Sequence, residues 1–166
     1  MTFSNRFNAL VVSTGNKTEL ALGYCTLHGD MVGGIAAIAD LTKTQVYEMA
    51  DAINFMAEKE LIPNNTINKP PSAELAPDQT DEEGLGADYS VLSPLVERIV
   101  RGESIEGIKE DFDHDLVNDI AKRISMQEYK RRQSAPGIRI SNKAFGAGRR
   151  IPWSNSPLLP KSVKEI

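Results

Sequence analysis

The segment Ala9-Leu10-Val11-Val12-Ser13-Thr14-Gly15-Asn16 decides the fold, because an apolar, β-branched run stops abruptly at Gly-Asn. β-Branched side chains sit well in a pleat and the Gly-Asn pair ends it, so Ala9 to Val12 reads as a buried strand. Directly after it, Leu20, Ala21, Tyr24 and Leu27 recur at helical spacing, which predicts a short helix over Lys17 to Leu27. Gly29-Asp30 and Gly33-Gly34 punctuate a loop, and Ile35, Ala37 and Ile38 mark a second extended run. Thr42-Lys43-Thr44-Gln45 is a capping box, in which Thr42 and Gln45 satisfy each other's exposed amides. Val46, Met49, Ala50, Ile53 and Ala57 then form one apolar helix face. Strand, helix, strand, helix in this order predicts an α/β layered fold with parallel strands.

Downstream the pattern changes. Between Pro63 and Ala87, prolines at 63, 70, 71 and 77 and acids at 78, 81, 82 and 83 remove any core-forming periodicity. So long a stretch without regular structure is either a functional lid or disordered. Val91, Leu92, Leu95, Val96, Ile99 and Val100 make the next helix face, and Ser104 to Glu110 one short turn. A further helix from Asp113 carries Leu116, Val117, Ile120 and Ile124 and runs into Lys130-Arg131-Arg132, a placement that suits a helix C-terminus. From Pro136 the chain is rich in Gly, Pro, Ser, Lys and Arg and reads as an irregular basic tail over 136–166.

The 166 residues are 40% hydrophobic and 25% charged, enough for a single domain with a real core. A net charge of −4 opposes a nucleic-acid footprint over the whole chain. The one cysteine, Cys25, cannot form an internal disulfide, and with two histidines no zinc cluster can be assembled. The longest stretch without a charged or strongly polar side chain, about Met31 to Ala39, is far too short to span a bilayer, and Met1 to Arg6 has no secretory apolar core. A soluble cytoplasmic protein without membrane contact is the expectation.

Three features could carry chemistry. Glu19 follows the first strand at the start of a helix, where open α/β sheets bind ligands. It either reaches a bound Mg2+ or merely complements the helix dipole. Lys43 stands just inside the capping box, where a cation opposes the macrodipole; it is a surface lysine or one side of an anion site. Lys130, Arg131, Arg132, Arg139, Lys143, Arg149 and Arg150 form a phosphate patch, a nucleic-acid patch or solvated charge. Few aromatic residues interleave them, which gives base stacking little support.

The segments LVVSTGNKTELALGY (10–24), LHGDMVGG (27–34) and DLTKTQVY (40–47) resemble the NAD+ synthetase family. KPPSAEL (69–75), PDQTDE (77–82) and EYKRRQ (128–133) do so too, while KAFG (143–146) and GRRIP (148–152) fit its glutamine-dependent branch. The likeness runs in order from about Phe7 to Pro152. It implies a partial Rossmann-like, three-layer α/β/α fold of the adenine nucleotide alpha hydrolase (ATP-pyrophosphatase) type, with a mainly helical C-terminal part. It further implies amidation of deamido-NAD+ to NAD+ with ATP, Mg2+ and ammonia, free or derived from glutamine. The carboxylate is adenylylated with release of pyrophosphate, and ammonia then displaces AMP.

By this resemblance Glu19 is the Mg2+ ligand and Thr14 lies near the nucleotide. Lys43 and Ser72 hold ATP phosphates, Asp30 lines the nicotinate site, and Lys130 lies near the dinucleotide. Lys43 and Asp30 are the catalytic candidates. Residues 63–87 match a mobile loop that covers the substrates and excludes water from the acyl adenylate. Gly34 replaces an acid of the smaller ammonia-dependent enzymes, so that contact does not carry over.

The sequence contains no Ser-Gly-Gly-x-Asp-Ser pyrophosphate loop and no glutaminase domain. Residues 1–166 therefore resemble the C-terminal portion of the synthetase domain, expected to be inactive alone. They are also expected to associate with the missing part or with copies of themselves. The alternatives are a truncated, non-catalytic nucleotide-binding or dimerisation module and, resting only on the basic tail, a nucleic-acid-binding protein.

Overall fold

The computed structural model describes residues 1–73, 76–77, 79–146 and 148–149. Two short parallel strands, β1 (Val12–Ser13) and β2 (Ile35–Ala36), pair Val12 with Ile35 and Ser13 with Ala36. The first strand lies later than the apolar run suggested, because Ala9 to Val11 follow a short helix, α1 (Thr2–Phe7), that the sequence did not announce. The backbones meet closely at Gly33, where a Cβ would sit 3.0 Å from the Ser13 nitrogen and 3.1 Å from the Val11 oxygen. That approach lets the Gly34 amide donate to the Val11 carbonyl at 2.8 Å. On the other side of β2, the Ala36 amide donates to the Pro136 carbonyl at 2.9 Å.

Each strand feeds a helix with a reciprocal cap. In α2 (Lys17–Leu22) the Asn16 side chain accepts from the Glu19 amide at 3.0 Å, and the Glu19 carboxylate accepts from the Asn16 amide at 3.0 Å. This helix ends at Gly23, in the left-handed region at φ 66°, rather than at Leu27. In α3 (Lys43–Ala57) Thr42 and Gln45 form the expected box. Its apolar face does not become core: Ala50 alone is buried along the helix, while Met49 and Ile53 of that face are 38% and 37% exposed. Periodicity marks the face a helix could bury and says nothing of whether a neighbour is there to cover it.

The segment 63–87 is not without regular structure. It contains α4 (Asn64–Asn68) and α5 (Asp81–Leu85), and the Asp81 amide donates to the Pro71 carbonyl at 3.0 Å. The core proper is helical, formed by α2, α5, α6 (Tyr89–Arg101), α7 (Ile105–Lys109) and α8 (His114–Met126). Leu92, Leu95, Val96, Ile99 and Val100 of α6 face Val117, Ile120 and Ile124 of α8 across this core, each fully or nearly fully buried. Every such side chain contributes about 1.5–3 kcal/mol by leaving water. The result is a partial α/β fold, mostly helical with a small parallel sheet. No helix among the described residues is long and apolar enough to cross a membrane.

The basic cluster has a different job from the one its position suggested. α8 stops at Met126, and α9 (Glu128–Arg131) turns Lys130 and Arg131 onto the end of α2. Lys130 Nζ donates to the carbonyls of Gly23 and Cys25 at 2.6 and 2.8 Å. Buried Arg131 donates to those of Leu20 and Ala21 at 3.1 and 2.9 Å. Arg149 likewise reaches the Ile99 and Val100 carbonyls at the end of α6. These cations satisfy helix C-termini, a favourable arrangement for orphan carbonyls. Of the expected tail, Arg150 and residues 151–166 lie outside the described residues.

Candidate functional site

The caps of α2 and α3 bring the two helix starts together. The Lys43 amide donates to Thr18 Oγ1 at 3.3 Å, and Lys43 Nζ lies 3.2 Å from Glu19 Oε1. The ammonium also sits 5.7 Å from the Tyr47 ring centre and 5.5 Å from that of Tyr89. Both members of the pair are largely buried. A helix-start lysine that opposes the dipole is thus held by a carboxylate and two aromatic faces.

Two cavities flank this pair. One, of about 490 Å³, is lined by Glu19, Asp30, Ser72 and Lys130, together with Tyr24, Cys25 and Asp81. The other, of about 460 Å³, is lined by Lys43, Tyr47, Lys69 and Ser72 over an apolar wall that includes Ile38 and Ile67. Ser72 borders both. Thr14 lies exposed beyond the end of β1 and lines neither. Asp30 accepts the Thr26 amide at 2.6 Å, which fixes its carboxylate at the rim. The structure therefore gathers five of the six sequence candidates around one ion pair and leaves Thr14 apart.

The local electrostatics restrict what the first cavity can do. Burial pushes the Cys25 thiol up to about 11, so it is no nucleophile at neutral pH. Tyr89 is raised by burial and by donating to Asp81 Oδ2 at 2.8 Å, and Tyr24 is raised by burial and by Asp81. Both phenols stay neutral. Among the described residues no three His, Cys, Asp or Glu side chains cluster as a metal cage. The carboxylates of Glu19, Asp30 and Asp81 line this cavity, oxygen donors of the kind a hard cation such as Mg2+ takes together with phosphate and water.

Residues 1–134 match the family model described as NAD synthase. The chain belongs to the NAD synthase family. The glutamine-dependent NAD(+) synthetase of Acinetobacter baylyi is 46% identical over 157 residues, a span covering 93% of this chain and 29% of that protein. The chain thus spans under a third of that relative's length. The crystal structure of a glutamine-dependent NAD(+) synthetase from Cytophaga hutchinsonii superposes with a TM-score of 0.72 over 93% of this chain and 26% of that one. At 20% identity it shows the fold. A glutamine-dependent NAD+ synthetase from Acinetobacter baumannii, solved with ADP, is 38% identical across 93% of this chain and 27% of its own, at a TM-score of 0.41.

Sequence reasoning missed the polar centre that sets this NAD synthase geometry. Lys17, the first residue of α2, is fully buried, with Nζ 3.1 Å from Asp40 and 2.7 Å from Glu97. Asp40 in turn accepts the amides of Ile140 and Ser141 at 2.8 and 2.6 Å and the Ser141 hydroxyl at 2.7 Å. The signal was available: Lys17 stands at a helix start just as Lys43 does, and the same conflict with the dipole calls for an anionic partner.

Proposed function

We propose that the chain forms part of an NAD+ synthase that amidates deamido-NAD+ with ATP through an acyl adenylate, with ammonia as the nitrogen donor. The observation that carries this reading is the contact of Lys43 with Glu19 where two cavities meet. There an ammonium and a carboxylate stand side by side at two helix starts, ready for polyphosphate and its counterion. Lys43 and Ser72 orient the phosphates, the ammonium offsetting the charge that develops as pyrophosphate leaves. Glu19 supplies the carboxylate for Mg2+, which when bound neutralises phosphate oxygens. Asp30 and Lys130 edge the cavity that takes the nicotinate end, and the segment carrying Ser72 excludes water. Positioning and charge neutralisation, with no covalent enzyme intermediate, are what this set of groups can supply.

The test is an assay with ATP, Mg2+, deamido-NAD+ and ammonia. The chain is measured alone and mixed with a polypeptide carrying a Ser-Gly-Gly-x-Asp-Ser loop. NAD+ formation in the mixture, lost with Lys43→Ala, supports the reading; an inactive mixture that still binds ATP replaces it. One observation favours a second reading, a non-catalytic module that pairs through apolar surface. Helix α1 buries no residue and stacks Phe3 on Phe7 in the open, with ring centres 6.1 Å apart. Self-association without turnover in any mixture would select it.

A further inference from the structure

Both oxygens of Glu19 are engaged, but not equally. Oε2 accepts the Asn16 amide inside the capping box, three residues away in sequence, and any α2 helix with this cap keeps that bond. Oε1 is held by Lys43 Nζ from another helix and is the releasable contact. Lys43 lines one cavity and Glu19 the other, with Ser72 between them. Each group is therefore neutralised by the other before any ligand arrives.

We propose that the Lys43–Glu19 pair is an interlock that makes polyphosphate and a divalent cation bind cooperatively. The inference rests on the reading above that Lys43 faces phosphate and Glu19 faces the metal. A polyphosphate alone must draw Lys43 off and leave a largely buried carboxylate with only the Asn16 amide. A divalent cation alone must take Glu19 and leave the ammonium with only the faces of Tyr47 and Tyr89, beside a like charge. When both arrive, the single internal contact is exchanged for two favourable ones, and neither group is stranded. Coupling of this kind is reciprocal, and about 5–150-fold is its usual range.

The interlock has a signature that binding measurements can read: deleting one partner improves binding of the other partner's ligand. Calorimetry on the full chain tests it without any turnover. Mg2+ alone should bind Lys43→Met at least about 5-fold more tightly than wild type, because Glu19 is unmasked. Tripolyphosphate alone, in chelator, should bind Glu19→Gln more tightly by a similar factor. The glutamine oxygen still accepts the Asn16 amide, so α2 keeps its cap, and Lys43→Arg should return Mg2+ affinity to the wild-type value. Unchanged or weaker binding in both variants, with wild type still binding both probes, overturns the interlock and leaves the proposed function standing. If no protein binds either probe, the functional reading itself falls and takes the interlock with it.

Discussion

Lys17 and Asp40 meet at 3.1 Å inside the molecule, with side-chain exposures of 0% and 3%. Glu97 of α6 approaches the same ammonium at 2.7 Å, and Ser141 Oγ accepts from it at 3.0 Å. One cation thus ties the start of α2, the approach to α3, the helical core and the 140–141 segment. Among the described residues, removing it takes the only cation from buried Asp40, which keeps its three donors from the 140–141 segment, and leaves Glu97 with Arg101 alone. Lys17→Ala should cost about 3–5 kcal/mol, the usual penalty for breaking a buried pair from one side. Urea denaturation measures it. A loss of about 1 kcal/mol or less would mean water reaches Asp40 and the pair is not a structural centre.

The same carboxylate predicts an acid limb. Burial raises the Asp40 pKa, but the amides of Ser141 and Ile140, the Ser141 hydroxyl and Lys17 outweigh it and hold the group below its ordinary value. A depressed folded-state pKa means stability that is complete above the unfolded pKa, about 3.9, and lost as pH falls through the folded one. Stability should therefore decline below about pH 4, and Asp40→Asn should flatten that decline while lowering stability at neutral pH. Parallel pH profiles for the two proteins would remove Asp40 from the account.

The fold was legible where local chemistry dictates it. The Thr42–Gln45 capping box and the apolar faces of α6 and α8 follow from side-chain spacing, and the structure has them, whereas the Asn16–Glu19 box emerged only from the structure. Glu19 and Lys43 could be singled out because each stands at a helix start. Their contact could not, since it depends on how two helices dock across 24 residues of sequence. The carbonyl contacts of Lys130, Arg131 and Arg149 were hidden for the same reason: a run of cations stays open between a phosphate patch, a nucleic-acid patch and solvated charge until the carbonyls it meets are known. The apolar face of α3 is a different case, because a helix pattern cannot report how much of that face its neighbours cover.

Cys25 lines the cavity beside Glu19 and is half-buried, yet burial pushes its thiol up to about 11. Lys130 opposes that shift, while Asp30 and Glu19 reinforce it. Alkylation by iodoacetamide should be slow at pH 7 and rise steeply towards pH 11. Because the raised pKa disfavours thiolate in the folded state, stability should fall as pH climbs between about 9 and 11. Fast modification at neutral pH would show that the thiolate is stabilised there and that this wall of the cavity is more open.

Arg131 and Arg132 are neighbours in one basic run and should behave as opposites. Arg131 is 7% exposed; it donates to Leu20 and Ala21 of α2 and to Ile124 of α8, pairs with Glu128 at 3.1 Å and lies 4.8 Å from the Phe145 ring centre. Arg132 reaches the other Glu128 oxygen at 2.7 Å from a solvent-exposed position. Arg131→Met leaves three carbonyls without their donor and should cost about 3 kcal/mol or more. Arg132→Met removes a solvent-screened contact and should cost about 1 kcal/mol or less. Arg131→Lys should recover little, since a single ammonium cannot reproduce a planar fork that reaches two helix ends at once. Equal losses at 131 and 132 in urea denaturation would return the whole run to the role of surface charge, and with it the reading of this segment as a binding patch.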